Sequence, residues 1–415
     1  MKFTIQEKSW IWYDCANSAY SLIIVTAILP AYFKLSAQSA GLSQSLSTAY
    51  WGYASSFSTL IISLLAPLLG ILADHLGNKK RYFKYSLMIG LIMTAGLSLV
   101  PFNEWKWLLI IYVVSHLGYQ AANLFYDAFI TDVTTDKHSD LVSSYGFGVG
   151  YLGSAFLFIL VMVLVMTKGF GLMSSYVAIR TAFILVTLWW LSFSLPLLKN
   201  VQQKYGTTQP ISIKDSLQRL WQTLKLISHY QAVTGFMIAY FFYIDGVDTI
   251  ITMATSFGLD LGVKTSSLLI ILLVLNIIAF PCTLIYGKLA VRFGTKKLIL
   301  TAILVYAVIC CYAIQMKTVA DFWILGLLVG SSQGGIQALS RSYFSRLIPK
   351  NQANEFFGFY NVFGKFSAVL GPLIFSLATQ LTGNSRLGIA SLIILFILGG
   401  SALIKLTPKK RTANN

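Results

Sequence analysis

Residues 70–81 (loop A) read GILADHLGNKKR, and residues 287–297 (loop B) read GKLAVRFGTKK. The two stretches share a leading glycine, a leucine–alanine pair, a second glycine and two lysines at a constant offset. Each stretch follows one long apolar run and precedes another, so each is expected to be a short polar loop between two helices. A matching loop at the same place in both halves of the chain predicts an internal repeat.

Apolar runs long enough to cross a bilayer recur along all 415 residues. The chain is 56% hydrophobic and 11% charged, with a mean hydropathy of +0.71, whereas a soluble domain carries about 25% charged residues. The runs are apolar on every side, which favours helices over barrel strands. At ~20 residues per span, we predict twelve spans, at residues 10–33, 49–73, 82–101, 107–130, 141–167, 176–198, 231–252, 265–288, 298–316, 320–340, 357–380 and 386–406.

The net charge of +17 is unevenly distributed. Of the 31 Lys and Arg residues, 23 fall in the even-numbered loops and at the two termini, 7 fall in or beside the odd-numbered loops, and Lys365 lies inside a span. The positive-inside rule then predicts that both termini are cytoplasmic. Basic residues spread over alternate loops leave no folded polar surface for nucleic acid, so we expect no nucleic-acid partner.

The longest polar stretch separates the predicted spans six and six. We therefore divide the chain into an N-terminal six-helix bundle at 1–198, a cytoplasmic central loop at 199–230 and a C-terminal six-helix bundle at 231–415. Apolar residues from Ile213 to Ile227 recur at helical spacing, which predicts an amphipathic helix in the central loop. The expected fold is an all-α integral membrane protein built from two pseudo-symmetric six-helix bundles.

Carboxylates inside the predicted spans are the first functional candidates, because a charge at the bilayer centre costs at least ~3 kcal/mol unless it is paired or hydrated. Asp245 and Asp248 lie three residues apart on one face of span seven, and two close carboxylates discourage each other's ionisation. We regard this pair as a candidate carrier of a coupling proton, with structural hydrogen bonding as the alternative. Asp14 and Asp127 lie near the cytosolic ends of spans one and four, where gating or packing competes with substrate contact, and both are further candidates for proton coupling.

Polar side chains near mid-depth are candidates for binding a small solute. Lys365 lies nine residues into span eleven, roughly 13 Å deep at ~1.5 Å per residue. Gln333 and Gln337 are one helical turn apart on span ten, so both can face one cavity, and Asn17 of span one joins this group. Lys365 could bind a substrate carboxylate or pair permanently with an aspartate, and the sequence leaves both roles open.

Loop A resembles the signature loop between spans two and three of major facilitator transporters. Its glycines permit a tight turn and close helix approach, and Asp74 offers a carboxylate to a neighbouring helix N-terminus or to a cation. The resemblance implies that the loop latches a cytoplasmic gate, and a basic topology anchor is the alternative. Val291 occupies the carboxylate position in loop B, so we expect any latch there to be weaker or differently built. The gating candidates in loop A are Gly70, Asp74, Gly77, Lys79 and Lys80.

Five further strings carry a more specific resemblance. They are WYDCANSAY at 12–20, YIDGVDTI at 243–250, GGIQALSR at 334–341, EFFG at 355–358 and GP at 371–372. With them the chain is similar to the vacuole-effluxer (autophagy-related, UMF-type) family of major facilitator transporters. The resemblance implies parallel six-helix repeats with a solute site between them at mid-depth and transport by alternating access. It also adds Arg341 and Glu355 to the gating candidates.

The best-understood eukaryotic members of that family export neutral amino acids from the vacuole, so the resemblance implies amino-acid efflux. We therefore predict a secondary active transporter that moves a small zwitterionic solute through the lipid bilayer, with protons as the candidate coupling ion. No enzymatic activity, cofactor or metal is expected. The alternatives are efflux of drug-like or lipid-like amphiphiles and, more remotely, a non-transporting membrane receptor or a membrane-embedded enzyme.

Two positions depart from the family pattern. Cys15 replaces the common tryptophan after Asp14, and Asp248 stands where an uncharged residue is more usual, which puts the coupling scheme in question. The chain also has no long polar loop between spans of the kind that larger eukaryotic relatives carry. We therefore expect a multi-pass protein of a bacterial plasma membrane.

Overall fold

The structure is a computed structural model that describes residues 2–207, 230–260, 265–316, 318–367, 370–382 and 384–406. Within these ranges the regular secondary structure is helical, and a single isolated β-bridge joins His75 and Thr207. The first half contains α1 (Ile5–Tyr20), a π-helical segment (Ser21–Ala27), α2 (Ile28–Ser39), α3 (Gln44–Ala73), α4 (Asn78–Gly96), α5 (Trp105–Ala128), α6 (Ile130–Val133), α7 (Ser139–Met166) and α8 (Ser175–Asn200). The second half contains α9 (Gln231–Asp260), α10 (Thr265–Phe293), α11 (Thr295–Gln315), α12 (Val319–Leu347), α13 (Ala353–Ser367), α14 (Leu370–Thr382), α15 (Ser385–Ser391) and α16 (Ile393–Lys405).

In the described residues, eleven helical segments are long and apolar enough to cross a membrane. Each coincides with a predicted span, so the all-helical membrane fold is confirmed. The eleventh predicted span, 357–380, overlaps α13, which begins earlier, at Ala353, and α14. Residues 368–369 between these helices, and the predicted amphipathic helix from Ile213 to Ile227, lie outside the described residues.

The chain divides into two compact units. Unit 1 comprises Met1–Thr134, Val149–Ile211 and Lys350–Gly358, and unit 2 comprises Thr135–Gly148, Ser212–Pro349 and Phe359–Asn415. The two helices α7 and α13 therefore each begin in one unit and continue in the other. The division at 198 and 231 that the sequence suggested stays a prediction.

The helix packing repeats between the units. In unit 1, α1 packs along α8, α4 along α5, and α3 along α5. In unit 2 the helices of the same rank make the same contacts, since α9 packs along α16, α11 along α12, and α10 along α12. The repeat seen in loops A and B thus extends to the arrangement of whole helices.

Aromatic side chains fill much of the interior of unit 1. Trp10 and Tyr13 are fully buried, and the ring centroid of each lies 4.6 Å from that of Tyr126. Outward-facing positions are also apolar, with Leu64 in unit 1 and Leu304 in unit 2 exposed by 68% and 64%. Large apolar side chains on the outside of long apolar helices are expected where lipid is the solvent.

Candidate gate and membrane carboxylates

Asp74 of loop A contacts the first turn of α13 within unit 1. Its Oδ1 accepts hydrogen bonds from the backbone N–H of Asn354 at 3.0 Å and from the side-chain amide of the same residue at 2.8 Å. Its Oδ2 accepts from the backbone N–H of Glu355 at 2.9 Å. The first N–H groups of a helix have no partner inside the helix, and the helix dipole favours a negative charge beside them. Asp74 therefore caps this helix N-terminus, while its role in gating stays a prediction.

Glycines bring the two backbones together at this contact. A Cβ on Gly70 would lie 2.5 Å from the carbonyl oxygen of Asn354, and a Cβ on Gly358 would lie 2.9 Å from that of Ala66. Any larger residue at either position would push α3 and α13 apart. Gly77 has a φ of +85° in the turn before α4, a backbone conformation that glycine adopts without strain.

Lys79 forms a buried ion pair just after the turn. Its Nζ lies 2.6 Å from Oδ2 of Asp132, and both side chains are 0% exposed. The same Nζ donates to the carbonyl oxygen of Ala128 at 3.4 Å. Asp132 was not predicted as a functional residue, because it lies beyond the predicted end of span four and outside any recognised motif. The neighbouring Lys80 is half-buried.

The burial of Asp74 changes its acidity. Desolvation raises the pKa of this carboxyl group from 3.8 to about 7, and it outweighs the opposing effects of the Lys79 ammonium and of the N–H donors on Asn354 and Glu355. Asp74 directly follows the last residue of α3, at the end of the apolar span. A carboxyl group of this kind changes its charge near neutral pH.

Loop B makes its contact through different groups. Within unit 2, Asp140 in the first turn of α7 accepts hydrogen bonds from Oγ1 of Thr295 at 2.6 Å and from Oγ of Ser342 at 2.5 Å. It also pairs with Nη1 of Arg346 at 2.8 Å. Val291 is 54% exposed. At this contact the carboxylate, Asp140, therefore belongs to α7, and its hydrogen-bond donors belong to loop B and α12. The expectation that loop B is differently built is confirmed.

Arg341 lies near the C-terminal end of α12, which extends to Leu347, beyond the predicted end of span ten at 340. Its Nε donates to Oγ of Ser143 at 3.0 Å, and its guanidinium carbon lies 4.2 Å from the ring centroid of Phe147. Arg341 is 3% exposed. Of the gating candidates, Gly70, Asp74 and Glu355 meet in unit 1, whereas these contacts place Arg341 in unit 2.

Asp245 is the most deeply buried of the span-seven carboxylates. Its Oδ1 accepts hydrogen bonds from the backbone N–H of Gly371 at 2.9 Å and from Oγ1 of Thr249 at 3.4 Å. A Cβ on Gly371 would lie 2.7 Å from this oxygen, so the close approach of α14 depends on glycine. Oδ2 has no hydrogen-bond partner in the part of the chain that the structure describes. Asp248, almost one turn further along α9, is half-buried.

The remaining predicted proton-coupling residues lie in unit 1. Oδ2 of Asp14 accepts a hydrogen bond from the hydroxyl of Tyr126 at 2.6 Å, and Asp14 is 2% exposed. Asp127 is half-buried at the C-terminal end of α5. The described contacts of Asp14 suit a packing role, and proton coupling at either residue stays a prediction.

The predicted substrate-binding residues are only partly described. The side-chain oxygens of Asn17 and Gln333 are buried without a hydrogen-bond partner among the described residues. Gln337 is half-buried on the same helix as Gln333. The backbone of Lys365 belongs to α13, but its side chain lies outside the described residues. Over the described ranges, no group of three or more His, Cys, Asp or Glu side chains could hold a metal ion.

A family model for "Vacuole effluxer Atg22 like" proteins matches residues 6–138 and 131–415. The chain belongs to this Atg22-like family. One relative is the "Uncharacterized MFS-type transporter YxiO" of Bacillus subtilis (strain 168), which is 49% identical over 401 residues, or 96% of this chain and 94% of the relative. "Autophagy-related protein 22" of Vanderwaltozyma polyspora is 27% identical over 378 residues, or 82% of this chain and 69% of the relative.

Solved structures show that the Atg22-like chain has the major facilitator fold. The human organic anion transporter MFSD10 superposes with a TM-score of 0.73 at 14% identity, covering 96% of this chain and 98% of the other. The proton:xylose symporter XylE superposes with a TM-score of 0.75 at 13% identity, covering 97% and 95%. The family resemblance inferred from the motifs is therefore confirmed, and the chain is a multi-pass membrane protein of the major facilitator transporters.

Proposed function

We propose that this chain is a proton-coupled exporter of zwitterionic amino acids in a bacterial plasma membrane, with both termini in the cytosol. The vacuole-effluxer description of its family supports export. Its similarity to an MFS-type transporter supports secondary active transport by alternating access, and the Bacillus source of that relative supports a bacterial membrane. The excess of basic residues in the even-numbered loops supports the orientation of the termini.

The environment of Asp245 carries the proposal of proton coupling. One oxygen of this buried carboxylate accepts the N–H of Gly371, and the other has no partner among the described residues. A buried carboxylate oxygen without a donor is costly, and binding a proton removes that cost. Asp248, on the same helix, is the second proton acceptor in this scheme, and Asp14 and Asp127 are further candidates in unit 1.

Two unpartnered amide oxygens support an amino acid as the solute. The side-chain oxygens of Asn17 and Gln333 are buried acceptors without a donor among the described residues. An α-ammonium group supplies N–H donors for such oxygens. Gln337 and Lys365 are the further substrate-binding candidates in unit 2, and the Lys365 ammonium is suited to a substrate carboxylate.

The gate in this proposal is the contact between loop A and the start of α13. Asp74 caps the helix when the cytosolic end is shut, and Lys79 keeps the loop in place through Asp132. Alternating access requires this contact to break and reform during each cycle. The other gating residues in the proposal are Gly70, Gly77, Lys80, Arg341 and Glu355.

Uptake into everted membrane vesicles tests the proposal, because an exporter then carries solute inward. With an acidic lumen, we expect accumulation of labelled zwitterionic amino acids, screened one at a time. Unlabelled substrate should compete, whereas its N-acetyl derivative and its amino alcohol should not, because each lacks one of the two charges. Competition by a lipophilic cation such as tetraphenylphosphonium, with no amino acid transported, would instead favour amphiphile efflux.

The coupling residues are tested in the same vesicles. Asp245→Asn combined with Asp248→Asn should remove the pH-driven accumulation while leaving exchange of labelled for unlabelled substrate measurable. Glu104→Gln is the matched control, since Glu104 is an exposed loop carboxylate. Full retention of pH-driven accumulation by the double variant would eliminate proton coupling at this pair.

A further inference from the structure

The residues that follow α8 lie alongside loop A in unit 1. We call residues 201–207 the linker strap. The backbone N–H of Thr207 donates to the carbonyl oxygen of Asp74 at 2.7 Å, and the N–H of Leu76 donates to the carbonyl oxygen of Thr207 at 3.0 Å. His75 and Thr207 thus form a parallel β-bridge. The strap is bonded to the residue whose side chain caps α13.

Gln203 of the linker strap joins the end of α3 to the start of α4. Its side-chain amide donates to the carbonyl oxygen of Ala73 at 3.2 Å, and its side-chain oxygen accepts the backbone N–H of Lys79 at 3.1 Å. Both backbone groups lie at helix ends, where the helices themselves supply no partner. The side chain of Gln203 therefore bridges loop A, from Ala73 at the end of α3 to the backbone of Lys79 in α4.

Asp132 connects the linker strap to the buried ion pair. Its Oδ1 accepts the backbone N–H of Lys204 at 2.8 Å and that of Tyr205 at 3.0 Å. Its Oδ2 receives the ammonium of Lys79. The buried carboxylate of Asp132 thus connects α6 to both the linker strap and loop A.

Close packing fixes the position of the linker strap. A Cβ on Gly206 would lie 2.5 Å from the carbonyl oxygen of Asp74 and 3.1 Å from a side-chain carbon of Leu76. The strap also touches the segment before α13, because Nζ of Lys350 lies 5.4 Å from the ring centroid of Tyr205. The first residues of the central loop therefore contact both sides of the Asp74 cap.

We infer that the linker strap is a positioning element of the cytosolic gate, in which Gln203 and Asp132 orient loop A so that Asp74 meets α13. This inference rests on the proposed gating role of Asp74. Neither residue touches the solute in this scheme, because both act through loop A. Loosening the strap therefore weakens the cap on α13, and residues 201–207 are coupled to the gate in this way.

Hydrogen exchange of the purified full-length chain, read by mass spectrometry, tests the inference without a known solute. Gln203→Ala should speed exchange at residues 353–357 by about five- to tenfold, as expected for the loss of one or two hydrogen bonds that hold loop A. Gln202→Ala is the matched control, because Gln202 is the exposed neighbour. Gly206→Ala, which lifts the strap by steric contact, should act in the same direction.

A strap that merely packs against loop A predicts a different pattern. Exchange would then rise within 73–79 and 203–207 only, with residues 353–357 unchanged, and that result would overturn the inference. Equal effects of Gln203→Ala and Gln202→Ala would overturn it as well. Failure of the gate itself is distinguishable, since it would appear as unchanged vesicle transport in Asp74→Ala while the exchange pattern of the strap variants remained as expected.

Discussion

Loops A and B have matching sequences and opposite electrostatics. In loop A the carboxylate belongs to the loop, and its donors are the first N–H groups of α13. In loop B the carboxylate is Asp140 on α7, and its donors include Thr295 of the loop. The leading glycine is closely packed in both copies, because a Cβ on Gly70 or Gly287 would lie 2.5 Å from its neighbour. In both copies the loop packs closely against a helix. The carboxylate belongs to the loop in the first copy and to the helix in the second.

The paired lysines differ in the same way. Lys79 is buried against Asp132. Lys296, its counterpart in loop B, is half-buried and donates to the carbonyl oxygens of Ile404 at 3.0 Å and Leu406 at 2.7 Å. A cation at a helix C-terminus gains a modest stabilisation, whereas one member of a buried ion pair cannot be removed without leaving the other unpaired. Removing the lysine is therefore expected to cost more in loop A than in loop B.

The largest difference between the loops is expected from the lysines. Lys79→Ala should lower the free energy of unfolding by about 3–5 kcal/mol, because it leaves Asp132 as an unpaired buried charge. Lys296→Ala should cost less than about 1 kcal/mol, since it removes only contacts to a helix C-terminus. Equilibrium unfolding in mixed micelles of detergent and sodium dodecyl sulfate measures both. Adding Asp132→Ala to Lys79→Ala should recover part of the loss, and equal costs for the two single lysine variants would refute the comparison.

A smaller difference is expected from the carboxylate position. Asp74→Ala removes the acceptor of three hydrogen bonds and should destabilise the chain by about 1–3 kcal/mol. Val291→Ala changes an exposed side chain at the equivalent position and should stay within about 0.5 kcal/mol of the parent. The same unfolding assay compares them. If Val291→Ala and Asp74→Ala lowered the free energy of unfolding by similar amounts, backbone contacts alone would hold the two loops in place.

The fold was predictable because it depends on apolar run length and on the repeat. Loops A and B indicated the repeat, and the eleven long membrane segments found in the described residues follow predicted spans. Span eleven was predicted to begin at 357, four residues after the first residue of α13, because Asn354 and Glu355 precede the apolar run. Hydropathy reports which part of a helix lies in lipid, and the helix itself can extend beyond that part.

The candidate gate was predictable only on the side that carries a motif. Asp74 and Lys79 lie in the recognised loop, but their partners Asp132 and Asn354 are distant in sequence and belong to no recognised string. Asp140 escaped notice because it reads as an ordinary acidic residue in the first turn of a helix. Contacts between loops and distant helix ends are long-range, so a single sequence does not reveal the partner.

The smallest expected difference between the two loops is in their pH dependence. The sign of this pH dependence follows from the burial of Asp74. Because the pKa of Asp74 is raised from 3.8 to about 7 in the capped state, that state binds a proton more tightly than one with the carboxyl group in water. The contribution of Asp74 is therefore fully present below pH 3.8 and is lost as the pH rises through about 7. Lys79 faces Asp74 and opposes this effect without cancelling it. We expect the cap on α13 to be weaker at pH 8 than at pH 6.

Hydrogen exchange at residues 353–357, corrected for the intrinsic effect of pH on amide exchange, measures this change. Protection should fall between pH 6 and pH 8 in the parent chain and stay level in Asp74→Asn, which cannot ionise. Residues 139–144 at the loop B contact serve as the internal reference, because Asp74 takes no part in that contact. Protection at 353–357 that rises towards pH 8 would mean that the three N–H donors and Lys79 outweigh desolvation, and that loop A latches in its charged form.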